Sequence, residues 1–376
     1  MKIAFILPVN MKRFGYTKDN FLKSHFSVDM ARAVAKQGHE VSLHTFWDRR
    51  YSIKNKDMSV NFYPTSFNRI LNADFSEISI SLLNEKFSDD TIINFHEPNS
   101  LFFNLFILNH HNKIVVKHHG NGIVNPMPFP SVLWFLYGII RRFFLSSALK
   151  KCEACILLNN LAVNNFRTYG VDENKIYKIN NGINTDKFKI FDRKSYRRKF
   201  GFNDSDIVYL FVGRISKDKG IRELVSAFNS LKSVNKKTKL VIIGPLQDKN
   251  LKDLIQPYWQ GFKNPQELQK WLSLTDVFVA PSYAEPYGNV LTEALYYNLP
   301  IITTNAGGPP EFVPVANAIF IPPKDVKSLE KAMIKMYDPD FRLNKSFGGR
   351  KMVEQKFTWN KICRKYIQIY KKIKFN

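Results

Sequence analysis

The feature that most constrains the fold is the first strand-helix-strand unit. MKIAFILP is an apolar run of the length of one buried strand. From about residue 20 to 37, Phe21, Phe26, Val28, Met30, Ala33 and Val34 recur at helical spacing, and the pattern stops at Gly38. HEVSLHTF then alternates as a second strand. Two strands joined through a helix with so short a return lie parallel, and a parallel sheet must be covered by helices on both faces. TIINFH (91–96), KIVVKHH (113–119) and EACILLNN (153–160) continue the series, so the first part of the chain predicts a doubly wound domain.

The pattern restarts after a charged stretch at about 186–200. DIVYLFVG (206–213), KLVIIG (239–244), DVFVAPS (276–282) and PIITTNA (300–306) read as strands, with IRELVSAFNSLK as a helix between the first two. A chain of 376 residues accommodates two such domains, since single cores stop growing at roughly 250–300 residues. The expectation is an α/β protein of two Rossmann-like, doubly wound parallel-sheet domains, residues 1–187 and 188–355. The last segment, 356–376, is a basic amphipathic helix expected to pack back toward the first domain.

Charge narrows the partners. The 56 Lys+Arg against 32 Asp+Glu leave +24, which favours phosphorylated substrates, an anionic membrane surface or nucleic acid. The basic residues are dispersed and carry no nucleic-acid-binding motif, which makes nucleic acid the least expected of the three. No GxGxxG follows an early strand, against a nicotinamide-dependent dehydrogenase. MKIAFILPVN is too short in its apolar part for a signal peptide, and no apolar run reaches membrane-spanning length, so a cytoplasmic chain is expected. Cys152 and Cys155 form a CxxC without a second ligand pair; with Cys363 they read as buried structural thiols of a reducing compartment rather than a zinc site. PMPFPSVLWFLYGIIRRFFLSSALKK (126–151) joins apolar residues to Arg141, Arg142, Lys150 and Lys151. It reads either as a buried helix of the first domain or as a segment peripheral to the inner membrane face.

Ligands of such sheets bind beyond the carboxyl ends of the strands, which directs attention to four loops. In FVGRISKDKG, Gly213 permits a sharp turn, and Arg214 and Lys219 before a helix make an anion site, although GxxxxGK[ST] is absent. In PSYAEPYGNVLTEALYYNLP a turn leads into a helix at about 290–298, for which Asn289 is the expected N-cap, and the first amides favour phosphate. Glu285 precedes that helix and Glu293 lies about one turn inside it. They read as an acid–base pair, a metal pair, two ends of one ligand, or a solvated and a capping glutamate. The segment offers no further ligands for a metal, and an acid–base pair would flank one bond from two sides. TTNAGGPPE supplies Gly307, Gly308 and Glu311, either a close approach to a ligand or a simple turn. In KHHGNG, His118 and His119 end a strand, as substrate-facing donors or as structural histidines.

GRISKDKG, APSYAEPYGNVLTEAL with its Glu285-x7-Glu293, PIITTNAGGPPE and INNGINTDKF (179–188) together resemble the family 4 retaining glycosyltransferases of the GT-B fold, glycosyltransferase group 1. The likeness covers most of residues 150–320 and is weaker in the first half. It implies two domains facing a central cleft. It also implies a UDP- or GDP-type sugar donor held mainly by the second domain, and transfer with retention, as an α-linkage, to a glycan or lipid-linked saccharide. No metal cofactor is expected. By the same likeness Arg214 and Lys219 serve the diphosphate and Glu293 the ribose. Glu285 serves the donor sugar, with Gly213, Gly288, Asn289, Val290, Gly307 and Gly308 around the donor and Phe262, beside Gly261, near the base. His119 faces the sugar or the acceptor, with His118 as the alternative in register, and Asn181 with Gly182 matches a turn at the cleft. Where the family has a glycine-rich loop after the first strand, this chain has NMKRFGYTKDN, in which Gly15 remains, and Pro286 stands where a glycine is usual. A non-enzymatic, basic polyanion-binding protein on the same scaffold is the alternative.

Overall fold

The computed structural model describes residues 1–14, 16–54, 57–66, 77–120 and 132–375. The chain divides into two compact units, Met1–Gly182 with Trp359–Asn376, and Ile183–Thr358.

The first unit contains β1 (Lys2–Asn10), β2 (Glu40–Trp47), β3 (Tyr51–Lys54), β4 (Ser59–Pro64), β5 (Thr91–His96), β6 (Ile114–Lys117), β7 (Ala154–Leu157) and β8 (Ile176–Lys178). Among the described residues they form one sheet in the order β3-β4-β2-β1-β5-β6-β7-β8, parallel throughout except for the edge pair β3–β4. The two-residue period of a strand divides β1 between two cores. Ile3, Phe5 and Leu7 join the face covered by the helices Phe26–Ala35 and Trp359–Phe375, while Ala4 and Ile6 join the face covered by Leu101–Asn109 and Val132–Lys151. The terminal helix belongs to this unit. Trp359, Ile362, Cys363, Tyr366, Tyr370 and Ile373 share its buried face, and Asn94 donates to the Tyr370 hydroxyl. The helix expected over 20–37 is broken at His25, which is extended (φ −75°, ψ 130°) and caps Phe26–Ala35 by accepting from the Ser27 amide. The hydrophobic spacing continued across that break because both pieces pack on one face.

The second unit contains β9 (Ile207–Val212), β10 (Thr238–Ile243), β11 (Val277–Ala280), β12 (Ile301–Thr304) and β13 (Ala318–Ile321), all parallel, in the order β10-β9-β11-β12-β13. The chain reverses direction across the sheet at β9, so the loops after β9 and β11 lie side by side at the switch point where such sheets bind ligands. Arg197, buried, holds the unit's first helix to its sheet by pairing with Asp276 and donating to the carbonyls of Leu274, Asn203, Asp204 and Asp206. Among the described residues no helix is long and apolar enough to cross a membrane. Cys152, Cys155 and Cys363 are buried free thiols, and burial pushes Cys155 up to about 12.

Candidate active site

In the second unit, glycines let the loops at the carboxyl ends of the strands interlock. Gly244 follows β10, and a Cβ there would lie 1.8 Å from the Gly213 carbonyl oxygen, so the turns after β9 and β10 touch this closely because residue 244 is glycine. Gly220 (φ +67°) presses in the same way on the Pro281 carbonyl, and the Tyr283 amide donates to the Asp218 carbonyl at 2.8 Å. These contacts fix the loop carrying Lys219 against the loop carrying Glu285. Lys219 Nζ donates to Glu285 Oε2 at 2.6 Å, with the two side chains only 13% and 16% exposed. Ser282 Oγ donates to the same oxygen at 3.2 Å. Glu285 is held from behind as well: its carbonyl accepts from the Gly308 amide at 2.8 Å, and a Cβ on Gly307 (φ +86°) would lie 2.1 Å from that carbonyl. Gly307 and Gly308 are thus in contact with the Glu285 backbone.

Arg214 stands apart from that pair. It is 54% exposed, donates to Gln247 Oε1 at 3.0 Å, and lies 3.8 Å from Asp218. The helix after the Glu285 turn runs from Asn289 to Tyr296, and its N-cap is Gly288, with φ +76°, rather than Asn289. A left-handed cap is easy for glycine, which has no side chain to bond the first turn, and the Leu291 amide donates to the Gly288 carbonyl at 2.8 Å. Glu293 lies one turn further on the half-buried face. Its carboxyl has no hydrogen-bond or ion-pair partner among the described residues, and desolvation pushes it up to about 7. At the far end of the site, the Gly261 carbonyl accepts from the Gly244 amide at 3.0 Å, and Phe262 beyond it is 71% exposed.

The first unit builds a second constellation at the carboxyl ends of β5 and β6. Glu97 adopts φ +59°, a left-handed conformation unusual for a residue with a side chain. Its Oε1 accepts from the His119 amide at 2.8 Å and its Oε2 meets His118 Nδ1 at 3.0 Å. His118 is therefore buried in a hydrogen-bonded contact with Glu97. His119 is half-buried, with Nε2 3.0 Å from His96 Nδ1 and its ring edge-on to Phe26. Beneath them Lys117 is fully buried, donates to the Ile179 carbonyl at 3.1 Å, and is pushed down to about 7 by burial, against the pull of Glu97. Asn181 is buried nearby in sequence, and the bare Cα of Gly182 lets the Trp359 ring approach, since a Cβ would lie 2.6 Å from it. Gly15 lies outside the described residues. His96, Glu97, Lys117, Ser282, Gly220 and Gly244 were not singled out in the sequence. Gly244 was findable as a residue ending a strand and Gly220 as one preceding a helix, but the histidine and glutamate contacts join separate strands and leave no mark in spacing.

Among the described residues no group of three or more His, Cys, Asp or Glu is placed to hold a metal ion. The loops of the second unit combine cations, helix amides and carboxyl acceptors, groups suited to a charged, hydroxyl-rich ligand.

Comparison with known proteins gives the same picture. The family model for glycosyl transferases group 1 matches residues 192–350, and that for Glycosyltransferase Family 4 matches residues 25–187. A glycosyltransferase of Methanocaldococcus jannaschii is 29% identical over 239 residues, covering 60% of this chain and 61% of its own. The capsular polysaccharide biosynthesis glycosyltransferase CapM of Staphylococcus aureus is 34% identical over 199 residues, covering 50% of this chain and 52% of CapM. The chain thus spans between half and three fifths of the length of these relatives. Among solved structures, a sucrose-phosphate synthase of Thermosynechococcus elongatus superposes with a TM-score of 0.75 at 18% identity, covering 99% of both chains. Anabaena HepE in complex with UDP and glucose superposes with a TM-score of 0.71 at 15% identity, covering 98% of each. The two parallel-sheet α/β units are those of the GT-B fold.

Proposed function

The chain belongs to the group 1 glycosyltransferases of the GT-B fold, and on that premise we propose that it is a retaining enzyme that moves a sugar from a nucleotide-diphosphate donor to a glycan or lipid-linked saccharide. The observation that carries this reading is Glu293. Desolvation raises this half-buried carboxyl to about 7, and a ribose diol would supply two hydroxyl donors to its ionised form. The complex of HepE with UDP and glucose supports a donor of this class. A polyanion-binding scaffold would gain nothing from two carboxylates placed among its cations.

In this reading the diphosphate meets Lys219, Arg214 and the first-turn amides behind Gly288, which together offset the charge that grows on it as the anomeric bond breaks. These groups do the work that a metal ion does elsewhere, so no metal is required. Glu285, locked by Lys219, Ser282 and the Gly307–Gly308 backbone, presents its remaining oxygen to the sugar hydroxyls, while Phe262 stacks on the base. Retention follows from attack on the face the diphosphate leaves. The acceptor oxygen bonds to the anomeric carbon as the bond to the diphosphate oxygen breaks, and a phosphate oxygen takes the acceptor's proton. His119 hydrogen-bonds the sugar or the acceptor.

A panel of UDP-, GDP- and ADP-sugars tests this directly, because a ligand present at about 100 times its Kd stabilises the folded state by about 2.7 kcal/mol. One nucleotide series should raise the Tm by several degrees and be consumed on addition of saccharide acceptor. A flat Tm across all three series would overturn the reading.

The acceptor side carries a membrane-facing surface in this proposal. Helix Val132–Lys151 buries Leu145, Ala148 and Leu149 but exposes Ile139, Ile140, Phe143 and Phe144. Residues 126–131 of that segment lie outside the described residues. The neighbouring helix Leu101–Asn109 exposes Leu101, Leu105 and Leu108 on one stripe, and neither helix contains an acidic residue. Arg141 and Arg142 are engaged by Asn99 and the Thr168 carbonyl, leaving Lys150 and Lys151 exposed for anionic headgroups. Phe143→Ser with Phe144→Ser should reduce co-sedimentation with anionic vesicles about tenfold at low salt while leaving the donor-induced Tm shift intact. Undiminished sedimentation would remove this face from the proposal.

A further inference from the structure

We propose that the outer face of the terminal helix Trp359–Phe375 is a binding track for an anionic polysaccharide, the acceptor or product chain of the transfer. The inference rests on the reading of the protein as a sugar transferase. It narrows the acceptor to a chain that carries repeated carboxylate or phosphate groups.

The helix turns an apolar face to the sheet and a cationic one to solvent. Lys361, Arg364, Lys365, Lys371, Lys372 and Lys374 are all exposed, and the helix contains no acidic residue. No ion pair joins any of them to a carboxylate among the described residues. Lys361 lies one turn before Arg364 and Lys365, and Lys371 one turn before Lys374, so like charges meet at a spacing that opposes the helix. Other surface helices of this chain mix their signs. Glu330 stands among Lys327, Lys331 and Lys335 of Val326–Lys335, and Glu354 stands between Lys351 and Lys356 of Gly349–Lys356. A basic composition alone therefore does not account for this face.

The helix also has a direction. Trp359 packs against Gly182, which follows β8, and Lys117, the last residue of β6, has its Nζ 5.7 Å from the centre of the Tyr366 ring. At the other end Lys113, just before β6, donates to the Ile373 carbonyl at 2.7 Å. The helix thus runs antiparallel to β6, from the carboxyl ends of the strands, where His119 sits, to their amino ends. At a rise of about 1.5 Å per residue its cations mark a path of about 20 Å leading away from that constellation. A small donor has no use for such a path, whereas a chain held by the site at one end does.

The chemistry of the face selects among polyanions. A helix that lies in a membrane inserts an apolar face, but every exposed residue here before Phe375 is polar or charged. This helix also covers the sheet face opposite to that of Leu101–Asn109 and Val132–Lys151, which carry the exposed apolar residues. Single-stranded nucleic acid is held by stacking its bases on aromatic rings, and before Phe375 this face exposes none. An acidic polysaccharide has charges and hydroxyls without bases. Spaced cations meet the first, and Asn360 and Gln368, the remaining exposed residues before Phe375, meet the second.

Titration of the full chain at low salt with polygalacturonate, neutral dextran and poly(U) RNA tests the proposal. The wild type should bind polygalacturonate, bind poly(U) more weakly, and leave dextran unbound. Lys361→Gln with Lys365→Gln, Lys371→Gln and Lys374→Gln should weaken polygalacturonate binding about 30-fold, a little over twofold per charge removed. The donor-induced Tm rise should be unchanged. As a control for net charge, Lys327→Gln with Lys331→Gln, Lys335→Gln and Lys351→Gln in the second unit should change binding by less than about threefold. Equal weakening by the two sets overturns the proposal, as do wild-type affinity in the first set and a wild type that ignores polygalacturonate. Tighter binding of poly(U) or equal binding of dextran overturns it as well. Should the first set not fold, Lys361→Gln with Lys365→Gln decides, with an expected loss of about fivefold. A flat Tm with every nucleotide sugar would instead overturn the transferase reading, an outcome read separately from polymer binding.

Discussion

Replacing Lys219 with alanine is expected to lower kcat about 10³-fold, with a much smaller change in donor KM. The first reason is electrostatic. A fixed cation aimed at charge that develops on a leaving group contributes more in the transition state than in the ground state, and removing one such group typically costs about 10²–10³. The second is positional. Lys219 Nζ lies 2.6 Å from Glu285 Oε2 in a largely enclosed pair, and Ser282 is the other side-chain donor to that oxygen. Without Lys219, the Glu285 carboxylate keeps its backbone anchor on Gly308 but loses the contact that fixes its rotamer. Truncating one side of such a pair should also reduce stability by about 1–3 kcal/mol, less than for a fully buried pair. The double variant Lys219→Ala with Glu285→Ala should then be less than additive in stability, because the orphaned carboxylate is gone. Steady-state kinetics and thermal unfolding of the three variants check both parts. A Lys219→Ala enzyme within threefold of wild type would remove Lys219 from the chemistry.

The sequence made the scaffold legible wherever one residue type at one position has one physical use. Apolar runs with helices between them specified parallel sheets, and the glycines after β9 and β12 marked a sharp turn in one loop and a turn or a close approach in the other. Gly213 and Gly307 were visible for that reason, although the surface Gly307 meets, the Glu285 carbonyl, was not. The edge strand Tyr51–Lys54, only four residues long, and its neighbour Ser59–Pro64 were not singled out in the sequence. Asn289 was read as the cap because asparagine commonly serves there. The left-handed turn at Gly288 takes that role one residue earlier, since the loop from Glu285 must reverse before the helix begins. The site was legible as loops and unreadable as pairs. Lys219 and Glu285 are far apart in sequence, and only the order β10-β9-β11 brings them together. His96 looked like one more strand residue until β6 placed His119 beside it.

Glu293→Gln should change the free protein and the donor complex in opposite directions. In the free protein the carboxyl is pushed from its ordinary 4.5 up to about 7 by desolvation, so the folded state binds a proton that the unfolded state has already released. With the folded pKa above the unfolded one for an acid, the strain is absent below about 4.5, grows as pH rises toward 7, and is fully present above it. At pH 8 the ionised side chain opposes folding by about 2–3 kcal/mol. Glutamine keeps the shape without the charge. The variant should therefore be more stable than wild type at pH 8, nearly equal to it at pH 4.5, and lacking the corresponding fall between the two. The donor reverses the sign, because two ribose hydroxyls supply the donors that the carboxylate lacks, and charged hydrogen bonds of that kind are worth about 1.5–3 kcal/mol each. Donor affinity of the glutamine variant should fall about 10–100-fold, and wild-type affinity should strengthen between pH 6 and 8 as the carboxyl ionises. Thermal unfolding across pH and titration calorimetry with the nucleotide sugar that raises the Tm give the two readouts. A variant that loses stability at pH 8, or one that binds donor as wild type does, would show that Glu293 is structural. The opposite outcome identifies it as a group kept strained in the empty protein because its partner is the ligand.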